Sequence, residues 1–271
     1  MVKGEVTYPN VEKAMQYADD VLSGRIAACI HVRRAIQRHF DDLKTQDSPD
    51  FPFYFDPAKA EKVCRFIGKM IHTKGKWARQ PIVLEPWQCF ATIVPFGWMR
   101  RSNKKRRFRE VYIEVPRKNG KSAWSAAIAN YLFAADGEMG AEVYSGASSE
   151  KQAWEVFGPA RKMVDWNPAY REAFGINVGA KNLSIPVNGN KFEPLIGDPG
   201  DGASPHGSVI DEFHEHKTPA LYDTMTTGMG AREQPLNWII TTAGVDTSGP
   251  CYTKRTHVTK VLDGTVVDNE L

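Results

Sequence analysis

Two short segments carry residue types that can bind a polyphosphate and activate water. The first is Gly120-Lys121-Ser122, and the second is Asp211-Glu212, which ends the apolar run at 208–210. An ammonium and a hydroxyl suit phosphate oxygens and Mg²⁺, whereas carboxylates hold cations and accept protons. Together these residues predict hydrolysis of a nucleoside triphosphate, provided that the fold brings the two segments together.

The first segment closes a phosphate-binding loop of the Walker A type. It completes the run Pro116-Arg117-Lys118-Asn119-Gly120-Lys121-Ser122, between a predicted strand at 111–115 and a predicted helix at 122–135. Backbone N–H groups at a helix N-terminus point at an anion, and Gly120 allows its close approach. Lys121 is expected to reach the β- and γ-phosphates, and Ser122 to bind Mg²⁺. Val115 replaces the first glycine of the usual motif, so a basic turn is the alternative.

The second segment has the Walker B pattern, because carboxylates at the end of a core strand face the phosphate crevice. Asp211 is expected to hold Mg²⁺, and Glu212 to orient and deprotonate the attacking water. Ninety residues separate Lys121 from Asp211, which leaves room for two further strands and helices. That spacing suits the additional-strand, RecA-like class of P-loop ATPases. A solvated acidic turn is the alternative.

Further candidate residues flank these two motifs. Thr241-Thr242 ends a predicted strand at 236–242, as in motor ATPases where such a strand end senses the γ-phosphate; an ordinary turn is the alternative. Upstream, Gln88 offers a donor and an acceptor that match the edge of adenine. Its neighbour Trp87 can stack on the base or pack internally, and we favour packing.

The elements that position these residues alternate along the chain. Apolar spacing predicts N-terminal helices at 11–22, 26–43 and 57–72, the last with Asp56 as N-cap. Beyond residue 75, strands at 142–147 and 208–211 alternate with helices at 150–164 and 219–229, and Asn188-Gly189 joins a hairpin. We therefore expect an α/β fold with a mainly parallel sheet and helices on both faces. Residues 1–75 are expected to form a helical region that packs on an ATPase domain at 76–271.

Composition supports a folded protein of the cytoplasm. The 271 residues are 42% hydrophobic and 25% charged with a net charge of +3, which excludes wholesale disorder. Apolar runs are too short to span a bilayer, and residues 1–5 contain no signal-peptide stretch. The four cysteines form no CxxC pair, so we expect reduced thiols, and the His214 and His216 pair lacks a third ligand for zinc.

The motifs together resemble the large terminase subunit of tailed double-stranded DNA phages, in its ATPase half. That half is the motor that packages the genome into the procapsid. The phrase Pro-Arg-Lys-Asn-Gly-Lys-Ser is the family's own variant of Walker A and accounts for Val115. The resemblance is carried by Glu85-Pro86-Trp87-Gln88, Phe96-Gly97-Trp98, the run from Val115 to Ser122, Ile210-Asp211-Glu212-Phe213-His214 and Thr241-Thr242-Ala243-Gly244.

The resemblance implies ATP and Mg²⁺ as ligands and a role for each matching residue. Arg117 stands where family members carry an arginine that can swing to the γ-phosphate. The remaining roles are adenine reading by Gln88, phosphate and metal contacts by Lys121 and Ser122, metal binding by Asp211, base catalysis by Glu212 and coupling by Thr241-Thr242.

The resemblance also implies partners: double-stranded DNA, the portal protein of the procapsid and the small terminase subunit. We expect a monomer in dilute solution and a ring of identical subunits when docked on the portal in the host cytoplasm. Large terminase subunits normally continue into an RNase H-like nuclease domain. Since this chain ends at Leu271, we expect that domain to be absent and no DNA cleavage.

A second arginine, from a neighbouring subunit, is expected to stabilise the transition state. The candidates are Arg101, Arg106, Arg109 and Arg232. Three of them lie in the segment 100–109, where seven of ten residues are basic. That segment can instead be a solvated hairpin or a DNA phosphate patch. The Gly-, Pro- and Asp-rich residues 198–207 are expected to form a mobile loop.

Two rival functions remain open from sequence. Asp211-Glu212-Phe213-His214 also fits the DExH box of a superfamily-two helicase, although no second RecA-like domain with arginine-rich motifs follows. A non-catalytic nucleic-acid scaffold is the other rival, and the intact set Lys121, Ser122, Asp211 and Glu212 opposes it. Strand-displacement and ATP-turnover assays distinguish these possibilities.

Overall fold

The computed structural model describes residues 6–147, 149–196 and 202–271. Residues 1–5 and the part of the expected loop at 198–201 lie outside the described residues. Within the described residues, no helix is both long and apolar enough to cross a membrane.

The helices are α1 (Pro9–Leu22), α2 (Ile30–Thr45), α3 (Pro57–Lys69), α4 (Pro86–Gly97), α5 (Lys121–Ala134), α6 (Glu150–Asp165), α7 (Pro168–Phe174), α8 (Ala220–Gly228) and α9 (Pro250–Leu262). The strands are β1 (Phe53–Phe55), β2 (Trp98–Arg100), β3 (Glu110–Glu114), β4 (Glu142–Ala147), β5 (Asn177–Val178), β6 (Leu183–Ile185), β7 (Asn190–Ile196), β8 (Gly207–Asp211) and β9 (Leu236–Thr241).

The chain forms two compact units that are each discontinuous in sequence. The first unit contains Met1–Gly68, Val83–Phe108 and Thr259–Asn269. The second contains Lys69–Ile82, Arg109–Val258 and Glu270–Leu271. This division differs from the single boundary expected near residue 75, because α4 and β2 return to the N-terminal helices.

Packing in the first unit explains why α4 belongs with the N-terminal helices. Helix α1 begins with Pro9 and lacks a cap from its own N-cap side chain. Instead Glu61 of α3, which is buried, accepts hydrogen bonds from the backbone N–H groups of Asn10 (2.9 Å) and Val11 (3.2 Å). The ring of Phe90 on α4 lies 6.3 Å from that of Tyr17 on α1. The three helices therefore share one core.

The basic segment 100–109 is partly internal to the first unit. Arg107 is only 2% exposed, and its Nη1 lies 2.6 Å from Oδ2 of Asp42. Its guanidinium stacks 4.2 Å from the ring centre of Phe53, and buried Arg106 stacks 4.9 Å from that of Phe96. The interpretation of this segment as a solvated hairpin is therefore wrong for Arg106 and Arg107, because aromatic faces and a carboxylate compensate their burial.

The second unit is built on a seven-stranded sheet in the order β3-β9-β8-β4-β7-β6-β5. Strands β3, β9, β8, β4 and β7 pair in parallel, whereas β7, β6 and β5 pair antiparallel. The prediction of an α/β fold with a mainly parallel sheet flanked by helices is confirmed. Strand β9 lies between the two motif-bearing strands, β3 and β8, which is the arrangement of the additional-strand class.

Burial explains why these segments fold as they do. Every residue of β8 and β9 is buried, as expected for parallel strands covered on both faces. The Ala-rich helix α5 is buried along almost its whole length. The predicted hairpin is also confirmed: β6 and β7 pair antiparallel, and Gly189 adopts φ 70° in the turn.

Candidate nucleotide site

The phosphate-binding loop connects β3 to α5 at the carboxyl edge of the sheet. Gly120 is the N-cap of α5 and adopts φ 72° and ψ 14°, a conformation that costs a glycine little. The side-chain amide of Asn119 donates to the carbonyl of Pro116 at 3.0 Å and tightens the loop. Val115 donates its N–H to the carbonyl of Thr241 at 3.0 Å. It continues the pairing of β3 with β9, so this position needs no glycine.

The loop and the end of β8 meet in space. Lys121 is 6% exposed, and its Nζ lies 3.7 Å from Oε1 of Glu212. Ser122 donates from Oγ to Oδ2 of Asp211 at 3.3 Å. The two motifs that are ninety residues apart in sequence therefore form one cluster of a cation, a hydroxyl and two carboxylates.

Asp211 carries a perturbed carboxyl group. Burial of the side chain, with the nearby charge of Glu212, raises the pKa of Asp211 to about 6. The backbone N–H of Glu212, the ammonium of Lys121 and the hydroxyl of Ser122 oppose that shift. A divalent cation at this position would restore the ionised form, because an opposite charge favours it.

Glu212 adopts a left-handed backbone conformation, with φ 48° and ψ 48°. This conformation is uncommon outside glycine and frequently occurs at functional sites. A 3-10 turn, Phe213–Glu215, follows directly. The side chain of Glu212 points one oxygen at Lys121, while its Oε2 lies 3.3 Å from Nδ1 of His214 and accepts from Oγ1 of Thr242 at 3.4 Å.

The two threonines at the end of β9 that are predicted to act in coupling join this network. Thr241 donates from Oγ1 to the carbonyl of Thr242 at 2.9 Å and accepts from the backbone N–H of His214 at 3.1 Å. Sequence reasoning missed His214 as a site residue, although the DExH pattern contained it. A cavity of about 550 Å³ adjoins the network and is lined by residues 114–117, 214–215 and 242–245.

Comparison with known proteins identifies the family. Residues 86–260 match the family model described as "Terminase large subunit, ATPase domain". The chain belongs to this family. ATP hydrolysis is the activity for which the domain family is named.

Individual relatives agree with this assignment. The chain is 30% identical over 190 residues to the large terminase subunit of Enterobacteria phage HK97, covering 68% of this chain and 36% of that protein. It is 62% identical over 72 residues to protein YmfN of Escherichia coli K12, covering 27% of this chain and 16% of that one. The crystal structure of the HK97 large terminase superposes with a TM-score of 0.64 at 25% identity, covering 77% of this chain and 43% of that one. The chain thus spans less than half the length of each relative.

The predicted adenine-binding residues of this terminase domain lie in the first compact unit. Gln88 is buried on the first turn of α4, where its Oε1 accepts from the backbone N–H of Glu85 at 3.0 Å in a capping box. Trp87 beside it is half-buried. The capping bond gives Gln88 a structural role in addition to the predicted one, and adenine recognition stays a prediction.

The four candidate trans arginines all make contacts within their own units. Arg101 is exposed and donates to the carbonyl of Phe51 at 3.1 Å, and Arg106 is buried against Phe96. Arg109 donates to the carbonyl of Met229 at 2.9 Å. Arg232 donates from Nη2 to the carbonyls of Gly140 (2.9 Å) and Ser204 (2.8 Å).

Arg117 differs from these four arginines. Its side chain is exposed and borders the cavity beside Thr242. Among residues 6–147, 149–196 and 202–271, its guanidinium makes no hydrogen bond or ion pair. Its predicted role at a phosphate of the same subunit stays a prediction.

The residues present fit a magnesium ion. Ser122 and Asp211 supply one hydroxyl and one carboxylate, and Mg²⁺ characteristically takes one or two protein ligands with phosphate oxygens and water. In the part of the chain that the structure describes, no three His, Cys, Asp or Glu side chains group to hold a metal by themselves.

Proposed function

We propose that this chain is the ATP-hydrolysing motor domain of a phage large terminase and that it drives double-stranded DNA into a procapsid. The observation that carries the proposal is the meeting of the phosphate loop with the end of β8, through the contacts Lys121–Glu212 and Ser122–Asp211. Membership of the terminase ATPase-domain family supplies the motor context.

Each residue of the cluster has a distinct role in this proposal. Gly120 and the first turn of α5 present backbone N–H groups to the phosphates, and Lys121 adds a positive charge. Ser122 and Asp211 would hold Mg²⁺, which when bound neutralises charge on the phosphate oxygens. In the first unit, Gln88 and Trp87 are proposed to recognise the adenine base.

Glu212 is proposed as the general base. Its Oε1 faces Lys121, whereas Oε2 is engaged by His214 and Thr242. Oε1 is therefore the oxygen that we propose to orient the attacking water and to accept its proton. Arg117 supplies positive charge towards the γ-phosphate from within the same subunit, and the end of β9 at Thr241-Thr242 transmits its loss.

The proposed partners follow from the family. They are double-stranded DNA, the portal protein of the procapsid and the small terminase subunit, in the cytoplasm of the host. We propose a monomer in dilute solution and a ring on the portal, in which one of Arg101, Arg109 or Arg232 acts across subunits. Arg106 is the weakest of the four candidates because its burial keeps it from a neighbouring site.

Substitution of Lys121 tests the nucleotide site. We expect Lys121→Ala to weaken binding of a fluorescent ATP analogue and to abolish Mg²⁺-dependent ATP turnover, because the β- and γ-phosphates lose their cation. Lys151→Ala on the exposed surface of α6 is the matched control and keeps both properties. Unchanged turnover in Lys121→Ala would exclude this site as the source of activity.

Addition of portal-bearing procapsids tests the motor role. We expect ATP turnover by the purified chain to be slow, and to rise faster than linearly with protein concentration and again with procapsids. The reason is that an arginine supplied by a neighbour is worth roughly 10³–10⁵ in rate. Strict proportionality to concentration with no stimulation by procapsids would leave Arg117 as the sufficient arginine.

A further inference from the structure

The short turn after β8, Phe213–Glu215, places His214 between the side chains of Glu212 and Thr241. Phe213, which is 1% exposed, packs in the core with Ile210 and Ile239 and anchors this turn. The side chain of His214 is therefore directed back towards the ends of β8 and β9, and it is only 11% exposed. Such a buried position limits the orientations that the imidazole ring can adopt.

Both nitrogens of the imidazole ring lie close to oxygen atoms. The hydroxyl of Thr241 donates its proton to the carbonyl of Thr242, so its oxygen has only lone pairs left. That oxygen lies 3.0 Å from Nδ1 of His214, so a proton on Nδ1 has an acceptor there, while Nε2 of the ring lies 3.1 Å from Oε1 of Glu215. The same Nδ1 lies 3.3 Å from Oε2 of Glu212, and this one nitrogen therefore lies within contact distance of both Thr241 and the proposed base.

We propose that His214 is a positioning residue that orients the carboxylate of Glu212 and ties it to Thr241 and Thr242. The proposal rests on the function of Glu212 as the base. The ring nitrogen and the Thr242 hydroxyl hold Oε2, which leaves Oε1 directed at Lys121, 3.7 Å away. A general base works only when its accepting oxygen is aligned with the proton.

Gly244 gives independent support for a contact between the loop after β9 and His214, because its missing side chain leaves space for the Cβ atom of His214. A Cβ atom built at Gly244 lies 2.9 Å from Cβ of His214, closer than two carbon atoms pack. An alanine there must displace His214 without removing any polar group. Residues 241–244 and the turn Phe213–Glu215 are therefore in contact through packing as well as through hydrogen bonds.

The consequence is that the base and the coupling segment cannot move separately. A shift of β9's end on loss of the γ-phosphate changes the Thr241 and Thr242 contacts of His214, and with them the orientation of Glu212. The network thus connects hydrolysis to movement in both directions, as linked equilibria require.

Three variants test the positioning role: His214→Leu, His214→Asn and Gly244→Ala. We expect His214→Leu to lower kcat by about 10²-fold, since misplacement by about 1 Å can cost that much, while Kd for ATP stays within about threefold. Asparagine can place an amide N–H near the position of Nδ1, so His214→Asn keeps most of the turnover. Gly244→Ala lowers kcat without affecting Kd.

The parent protein and Glu212→Gln are measured in parallel, with thermal melting of every variant. One outcome overturns the role of His214 and leaves the proposed function intact. In that outcome the parent is active and Glu212→Gln is inactive, but His214→Leu and Gly244→Ala both keep the kcat of the parent. A change in Kd in place of kcat, or equal losses in His214→Leu and His214→Asn with unchanged melting, also overturns it. If His214→Leu does not fold, His214→Asn and Gly244→Ala decide by the same criteria. A parent without turnover, or a fully active Glu212→Gln, overturns the proposed function together with this inference.

Discussion

The two ends of β8 carry similar charged residues but use them differently. Before its first residue, His206 is fully buried, and its Nε2 lies 2.7 Å from Oδ2 of Asp136. Arg232 lies at the same edge and donates to two main-chain carbonyls, with Nη1 3.4 Å from Oε1 of Glu138. At this amino edge, charged groups hold loops together.

At the carboxyl end of β8, side chains of the phosphate loop contact the two carboxylates, and the backbone is strained. The hydroxyl of Ser122 is 3.3 Å from Asp211, and Lys121 is 3.7 Å from Glu212. Glu212 has the left-handed conformation, and a cavity of about 550 Å³ adjoins the turn that follows it. These groups retain hydrogen-bonding capacity that a ligand can take up.

The difference shows that charge alone does not mark a functional site in this fold. Both edges contain carboxylates, a basic side chain and a histidine. Only the carboxyl edge combines unused bonding capacity, a raised carboxyl pKa and a strained residue, which are features of binding and catalytic sites. Substitutions at the two edges should therefore affect different properties.

The largest expected effect is on turnover at the carboxyl edge. We expect Glu212→Gln to lower kcat by about 10²–10⁴-fold, the usual contribution of a general base, while ATP binding and thermal stability are retained. Glu138→Gln makes the same chemical change at the amino edge and should leave kcat within about twofold. Steady-state ATPase assays and nucleotide titrations check both variants, and equal losses of binding and turnover in Glu212→Gln would contradict this division of roles.

The next effect is on stability at the amino edge. We expect Arg232→Ala to lower the free energy of unfolding by about 2–3 kcal/mol, because carbonyls and Glu138 lose a charged donor in a half-buried setting. Turnover per folded molecule should persist. Urea denaturation measures the loss, and Arg25→Ala, at an exposed ion pair, is the control with little change. Restored turnover on mixing Arg232→Ala with Glu212→Gln subunits would instead make Arg232 the trans arginine.

The last expected effect is a pH dependence of stability caused by Asp211. Its pKa is raised to about 6 by burial and by Glu212, whereas an unfolded aspartate titrates near pH 3.9. The carboxyl group of Asp211 therefore binds its proton more tightly in the native state than in the unfolded state. This difference adds to the free energy of unfolding below about pH 4, and the contribution is lost as the pH rises through 6.

In metal-free protein, Asp211→Asn should remove this dependence. We expect the variant to exceed the parent in free energy of unfolding by about 3 kcal/mol at pH 8 and to match it near pH 4. Urea denaturation in the presence of a chelator gives both values. Asp165→Asn, at the exposed end of α6, should follow the parent at every pH. Parallel curves for Asp211→Asn and the parent would show that Asp211 is not destabilised by its charge.

Local features of the molecule were predictable because backbone preference and spacing determine them. The strand-loop-helix around Gly120, the apolar strand that ends at Asp211 and the hairpin at Asn188-Gly189 all lie within a few residues of their signals. The sequence also predicted Asp56 as the cap of α3, and its Oδ1 accepts from the N–H of Lys59 at 3.1 Å. By contrast, α9 carries no comparable pattern and was not anticipated.

Other features depend on partners that are distant in the chain. Nothing near Arg107 indicates that Asp42 and Phe53 will surround it. Helix α4 was not predicted, because Gln88 and Trp87 were considered for adenine binding and internal packing and not as part of a helix. Burial of a charged side chain is favourable only when such partners exist. The sequence pattern around these residues therefore could not distinguish a solvated segment from a buried one.

By itself, the sequence determined the phosphate loop, the acidic strand end and the α/β class, since each follows from short-range conformational preferences and hydrophobic periodicity. Only the tertiary structure decided that β9 lies between β3 and β8 and that Ser122 meets Asp211. It alone placed His214 between Glu212 and Thr241. The physical reason is that strand order and side-chain contacts arise from packing between segments far apart in the chain, and no local preference encodes them.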